Sequence, residues 1–258
     1  MTERISLAGK VAVITGAAGA IGSATAALMG RRGAAIFAID RPGTDFAPLR
    51  GLMPPGARLE TATADVSVEA DIANAVAAVR AAFGRIDIFF NNAGIEGVVQ
   101  PIEDYPLATF RQVIDVNVIG VFLGLKHVLP VMYGQGSGCI VNNSSIAGLK
   151  GTPGLSAYTA SKHAVIGITR SVAAEAGPRG VRVVSVNPGP IESRMMDSIN
   201  AGQSPDVQAA RAAVSAAVPQ GRYGHVDEVA ELVAFLASDA AGYCHGGVYS
   251  VDGGMCAV

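Results

Sequence analysis

Seven short β-rich runs punctuate the chain, at Val11–Thr15, Ala35–Ile39, Leu59–Thr63, Ile86–Phe90, Ile140–Asn143, Val181–Val186 and Val248–Val251. A strand with one face in water alternates apolar and polar residues, whereas one covered on both faces does not. These nearly continuous apolar runs therefore predict buried parallel strands. Longer Ala-rich stretches lie between them, and Ile21–Arg32, Val68–Phe83, Leu107–Met132, Ala157–Ala176 and Val226–Leu236 are read as helices. Ser67 is placed as the N-cap of the second, with Glu69 and Asp71 favourably in its first turn. Strands alternating with helices predict a single α/β domain, a doubly wound parallel sheet of seven strands with helices on both faces. No internal repeat or low-complexity linker interrupts it. Residues 190–218, rich in Ser, Ala, Met and Pro, resist assignment. They follow a strand, where a lid over a site belongs, and the alternative is an ordinary surface helix pair.

The first strand runs into Gly16-Ala-Ala-Gly-Ala-Ile-Gly22, which opens the first helix. Gly16 permits a tight turn, and the small residues from Ala17 to Ala20 let backbone N–H groups approach a diphosphate. Gly22 lets the helix pack close to the sheet, and the positive helix end suits the anion. This strand–turn–helix context predicts a Rossmann-like dinucleotide site. Asp40 closes the second strand, where a carboxylate accepts hydrogen bonds from the adenosine ribose. A 2′-phosphate there meets a like charge, a penalty of roughly 1–4 kcal/mol at ~4 Å. The glycine turn carries no Lys or Arg either, so NAD is the expected cofactor. Arg41 is the competing feature, since a guanidinium can receive that phosphate.

Composition narrows the classes. Of 258 residues, 50% are hydrophobic and 16% charged, and the formal charge is −2, so an ordered globule is expected and nucleic acid is not. The three cysteines, Cys139, Cys244 and Cys256, form neither a disulfide framework nor a metal-ligand spacing. The opening residues are read as no signal peptide, and no membrane span is expected. A cytoplasmic protein follows as the expectation. His127, His163, His225 and His245 show no ligand spacing and are assigned structural or surface roles.

Tyr158 and Lys162 stand four residues apart, on one face of a helix. A phenol ordinarily ionises near pH 10, and a neighbouring ammonium is expected to lower that value until the tyrosine can exchange a proton with an alcohol oxygen. Ser145 precedes the tyrosine by thirteen residues, with Ser144 beside it as an alternative. Asn91-Asn-Ala-Gly94 follows the fourth strand at the sheet edge where ligands bind. Asn117 sits among apolar neighbours in a helix, where a satisfied core amide is the ordinary expectation.

These residues resemble the short-chain dehydrogenase/reductase family over essentially the whole chain. The resemblance rests on Thr15-Gly-Ala-Ala-Gly-Ala-Ile-Gly22, Asp65, Asn91-Asn-Ala-Gly94, Asn117, Ser144-Ser145, Tyr158 with Lys162, Asn187-Pro-Gly-Pro190 and Val251-Asp-Gly-Gly254. It implies a metal-free catalytic set of Asn117, Ser145, Tyr158 and Lys162, the thirteen-residue spacing selecting Ser145. Lys162 is also implied to hold the nicotinamide ribose, and Asn117 to order a water that relays the proton. The implied cofactor-binding residues are Gly16, Ala18, Gly19, Ala20, Ile21, Gly22, Asp40, Arg41, Asp65, Val66, Asn92, Ala93, Gly94, Tyr158, Lys162, Pro188, Gly189, Ile191 and Ser193. Two departures are small. Ala20 stands where the family has a glycine, and Ser193 stands where it often has a threonine, with the same hydroxyl for the nicotinamide amide.

Asn91-Asn-Ala-Gly-Ile-Glu-Gly97 and Gly120-Val-Phe-Leu-Gly-Leu-Lys-His127 are similar to members acting on cyclic secondary alcohols, diols and diones. Ile95, Leu155, Pro190, Met195 and Met196, with Ser145 and Tyr158, are the expected substrate contacts, mostly apolar as a small ring requires. Glu96 is read as an exposed loop acid rather than a group facing the site. A 3-oxoacyl-[acyl-carrier-protein] reductase using NADPH is the alternative enzyme, and Asp40 speaks against it. A non-catalytic dinucleotide sensor is the remote alternative. The family resemblance implies a homotetramer.

Overall fold

The computed structural model describes residues 5–257. The four N-terminal residues on which the signal-peptide reading partly rests, and Val258, which ends the segment Gly253–Val258 expected to reach a subunit interface, lie outside them. Seven strands form one sheet: β1 (Val11–Thr15), β2 (Ala35–Asp40), β3 (Leu59–Thr63), β4 (Ile88–Asn91), β5 (Gly138–Asn143), β6 (Val181–Pro188) and β7 (Val248–Val251). Their order is β3-β2-β1-β4-β5-β6-β7, and every neighbouring pair is parallel. The chain therefore winds outward from β1 to β3, then returns to build the other half from β4. That reversal between β1 and β4 opens a crevice at the carboxyl edge of the strands.

The helices are α1 (Ala20–Arg31), α2 (Ala47–Leu52), α3 (Glu69–Phe83), α4 (Leu107–Ile114), α5 (Gly120–Gln135), α6 (Ser156–Ala176), α7 (Arg194–Gln203), α8 (Val207–Ala217) and α9 (Val226–Ala237). Alternate strand residues feed two cores, which explains why the runs look continuously apolar. Ala12 and Ile14 join Leu28 and Met29 of α1 and Val229 to Ala237 of α9, whereas Val11 and Val13 join Ile72 to Val79 of α3, Val121 to Met132 of α5 and Val165 of α6. Helices cover both faces, as the pattern predicted.

The structure differs from the sequence reading in four places. The helix expected over residues 107–132 carries a π turn, Asp115–Ile119, between α4 and α5. The combined helical run Leu107–Gln135 is, by length and composition, apolar enough to cross a membrane, contrary to the expectation that no segment is; half of its most apolar window is buried inside the domain. Ser67 does not cap α3, because its N–H and hydroxyl both donate to Asp65 Oδ1, at 2.9 and 2.6 Å, and Val68 takes the cap position. α2 was not read from the sequence, whereas residues 190–218 hold the helix pair weighed there, α7 and α8.

Candidate active site

At the end of β1 the backbone turns through Gly16, whose φ of +62° lies in the left-handed region that side chains resist. A Cβ on Gly16 would stand 2.9 Å from Ala93 Cα, and one on Gly22 only 2.2 Å from the Gly16 carbonyl oxygen. The turn therefore packs α1 directly onto β1 and leaves Ala18, Gly19 and Ala20 exposed at the helix entrance. Gly19 caps α1 with no side chain over the first N–H groups, and no acid lies in the first turn. An anion fits this cradle, with Ile21 at its back. Ala20 imposes no obstruction at that exposed position, so its departure from glycine leaves the cradle open.

Asp40 closes β2 beside that turn. Its Oδ2 accepts the Ala18 N–H at 2.9 Å, and Oδ1 accepts the Arg41 N–H at 2.8 Å and the Thr44 hydroxyl at 3.2 Å. The carboxylate thus braces the glycine turn while keeping lone-pair capacity for a further donor. Arg41 is exposed at its side. Asp65 and Val66 follow β3, partly exposed, with Val66 packed where a Cβ on Gly120 would meet it at 2.8 Å.

Asn92, Ala93 and Gly94 leave β4 across the crevice. Thr15 Oγ1 accepts the N–H groups of Asn92 and Ala93 at 3.0 and 3.1 Å, and the Asn92 amide donates to the Thr15 and Gly16 carbonyls. The Asn143 amide then donates to Asn92 Oδ1 at 2.8 Å, and the Asn143 carbonyl accepts Lys162 Nζ at 2.8 Å. Thr15 and Asn143 were not singled out in the sequence as site residues, although two amides ending an apolar strand, Asn142 and Asn143, were a visible signal.

Lys162 is buried on α6, and desolvation alone pushes its ammonium down to about 8. Its Nζ lies 5.5 Å from the centre of the Tyr158 ring. Tyr158, partly exposed one turn earlier, is not lowered as the sequence suggested. Burial pushes its phenol up to about 12; the Ser145 hydroxyl opposes this, and the negative charge of Glu96 adds to it. The correction has a physical cause, since the packed site strips water from Lys162 and most of it from Tyr158, and each resists its charged form. Ser145 begins a short turn at the end of β5, its hydroxyl accepting the Ala147 N–H, whereas Ser144 donates to the Lys162 carbonyl and faces the helix. The structure therefore brings Ser145, not Ser144, beside the tyrosine.

Asn117 is fully buried at the π turn. Its side chain clasps Ile95 at both the N–H and the carbonyl, 2.8 and 2.9 Å, and donates to Ser161 Oγ at 3.0 Å. The amide makes no direct bond to Lys162, as a link through water requires. It also fixes the loop after Gly94. At the end of β6, Pro188 and Gly189 are strapped to the last strand, with Pro188 paired to Val251 and the Gly189 N–H bonded to the Val251 carbonyl. Pro190 and Ile191 are buried, and Ile191 bridges Gly224. Ser193 caps α7, accepting the Met196 N–H and donating to the Ile191 carbonyl, which leaves its hydroxyl one further acceptor site. Leu155 is buried at the entrance to α6; Met195 and Met196, in the first turn of α7, and Ile95 are partly exposed.

A family model described as enoyl-(acyl carrier protein) reductase matches residues 16–256. The levodione reductase of Leifsonia aquatica is 40% identical over 96% of this chain and 94% of its own. The cis-4-hydroxycyclohexanecarboxylate dehydrogenase of Sinomonas cyclohexanicum is 41% identical, over 98% of this chain and 99% of its own. A crystal structure of levodione reductase superposes with a TM-score of 0.95 at 39% identity, covering 97% of this chain and 99% of that one.

Proposed function

The chain belongs to the short-chain dehydrogenase/reductase family and is an oxidoreductase, and we propose that it moves a hydride between NAD and a small cyclic secondary alcohol or its ketone. The observation that carries this is the meeting of Ser145, Tyr158 and Lys162 at the carboxyl edge of β5, directly across the crevice from the glycine turn. The apolar Leu155, Met195 and Met196 suit a ring, and both relatives named above carry ring substrates in their names.

The cradle from Gly16 to Gly22 fits a diphosphate, Asp40 suits a ribose diol and Lys162 the second ribose. The dinucleotide supplies the hydride acceptor and, when oxidised, a positive ring that favours the phenolate. Tyr158 takes the alcohol proton in oxidation and returns it in reduction. Ser145 donates to the substrate oxygen and holds its developing charge. Lys162, still an ammonium at neutral pH with its value near 8, keeps positive charge beside the phenol. Asn117 keeps Ile95 in place as a wall of the pocket. Residues 190–218, with α7 and α8 standing beside the site, serve as its lid.

A panel of cyclic and acyclic secondary alcohols and ketones, followed at the absorbance of the reduced nicotinamide with NAD and with NADP, tests this reading. Turnover of cyclic alcohols with NAD is the expected result; activity confined to acyclic or acyl-thioester substrates overturns it. Asp40→Ala narrows or reverses the preference for NAD, because it removes the repulsion of a 2′-phosphate and leaves Arg41 free to receive one. An unmodified protein that already prefers NADP refutes the assignment of NAD.

A further inference from the structure

Glu96 stands one residue beyond Ile95, whose N–H and carbonyl are both held by the Asn117 side chain. One residue further, Gly97 takes a φ of +78°, and a Cβ there would lie 2.5 Å from the Tyr105 hydroxyl and 2.9 Å from Val113. The backbone that carries the acid is therefore held between two anchored neighbours. The same loop forms a wall of the site. A Cβ on Gly94 would lie 3.5 Å from Lys162 Nζ, the Gln100 N–H donates to the Gly154 carbonyl, and Val99 packs against Gly154, just before α6, and Gly202 of α7. Glu96 is only partly exposed, and among the described residues its carboxylate takes part in no hydrogen bond or ion pair. Its negative charge reaches the Tyr158 phenol. An acid without a partner, on an anchored loop beside the Tyr158 hydroxyl, is a group kept for the ligand.

We propose that Glu96 is a specificity-determining residue that accepts a hydrogen bond from a second hydroxyl on the substrate ring and turns carboxylated rings away. The inference rests on the reading of the site given above and names its substrate class as neutral rings with a second hydroxyl, the diols and hydroxyketones. A hydroxyl can donate to the carboxylate, a ring lacking one leaves the carboxylate's hydrogen-bonding capacity unmet, and an anionic ring meets like charge.

The test measures kcat/KM of the protein for 1,4-cyclohexanediol, cyclohexanol and 4-hydroxycyclohexanecarboxylate, alongside Glu96→Ala and Glu96→Gln. NADH binding, followed by fluorescence, reports that each variant is folded. The unmodified protein is expected to favour the diol over cyclohexanol by about tenfold and the carboxylate least of all. Glu96→Ala removes the preference for the diol. Glu96→Gln keeps part of it through the amide oxygen, and both variants gain on the carboxylate. An unmodified protein that turns over the carboxylate as well as the diol overturns the proposal, as does a diol preference unchanged in Glu96→Ala. Absence of turnover with all three rings, with NADH binding intact, is a separate result, and it overturns the assignment to cyclic alcohols and this proposal with it.

Discussion

At the scale of single residues the site depends on one hydroxyl. Tyr158→Phe leaves the fold and the dinucleotide cradle untouched but removes the group that exchanges the alcohol proton. Turnover is expected to fall by about 10²- to 10⁴-fold while NADH binding persists. Retention of more than about a tenth of the activity would falsify the role given to Tyr158. The pH profile carries a sharper question. Oxidation needs the phenolate and so speeds up as pH rises, while ketone reduction needs the phenol and slows. The protein's own groups hold Tyr158 near 12, so activity near neutrality requires the oxidised cofactor's charge together with Lys162 to bring it down. The kcat/KM for an alcohol at saturating NAD is expected to inflect below 10, with an apparent value that belongs to the Tyr158–Lys162 pair. Lys162→Met should move the inflection upward. A profile that rises only above 10 in the unmodified protein leaves this tuning without support.

Among the elements, the junction of β1 and α1 has the tightest steric demand. Gly22→Ala places a methyl group 2.2 Å from the Gly16 carbonyl oxygen and 2.9 Å from Ala17 Cα, both backbone atoms that cannot step aside cheaply. Overpacking of this kind costs about 1–3 kcal/mol, and in a chain of this size each kcal/mol lowers the melting temperature by about 2–4 °C. Because the displaced carbonyl belongs to the diphosphate turn, NADH affinity is expected to fall by about tenfold, or 1.4 kcal/mol, in the same variant. Thermal unfolding and a fluorescence titration check the two effects. A stable variant with unaltered affinity shows that the turn relaxes without consequence. Element boundaries were read within a few residues from apolar periodicity, but the π turn was not. It sets Asn117 against Ile95, a partner 22 residues away that no local pattern reveals.

On the scale of the whole molecule, apolar side chains remain uncovered along α4, the π turn and α5. Leu107 is 61% exposed, Ile119 40% and Phe122 48%. Such a stripe on a long helix is normally covered by a partner, and a self-complementary contact between copies does this by symmetry. The protein is expected to be a homotetramer, with α5 and α6 in one interface and the segment after β7 in the other. Light scattering at micromolar concentration checks this. A mass of about 26 kDa refutes it, and a dimer leaves one interface standing. Phe122→Glu places a charge in the first interface and should lower the assembly state.

The sequence determined by itself what local physics controls. Continuous apolar runs marked strands buried on both faces, the Gly16 to Gly22 turn marked a phosphate cradle, and the four-residue spacing of Tyr158 and Lys162 placed them on one helical face. Asp40 was legible as the end of β2 because a single acid there is out of keeping with the run before it. Only the tertiary structure decided which groups surround those residues. It raised the phenol of Tyr158 rather than lowering it, because burial is a property of the packed site and not of the i and i+4 spacing. It made Ser193 the cap of α7 and turned Ser67 away from α3 onto Asp65, because a hydroxyl bonds the nearest unsatisfied group once the chain is folded. It also left Glu96, read as an exposed loop acid, only partly exposed, since its neighbours Ile95 and Gly97 are held by side chains that only the fold brings together.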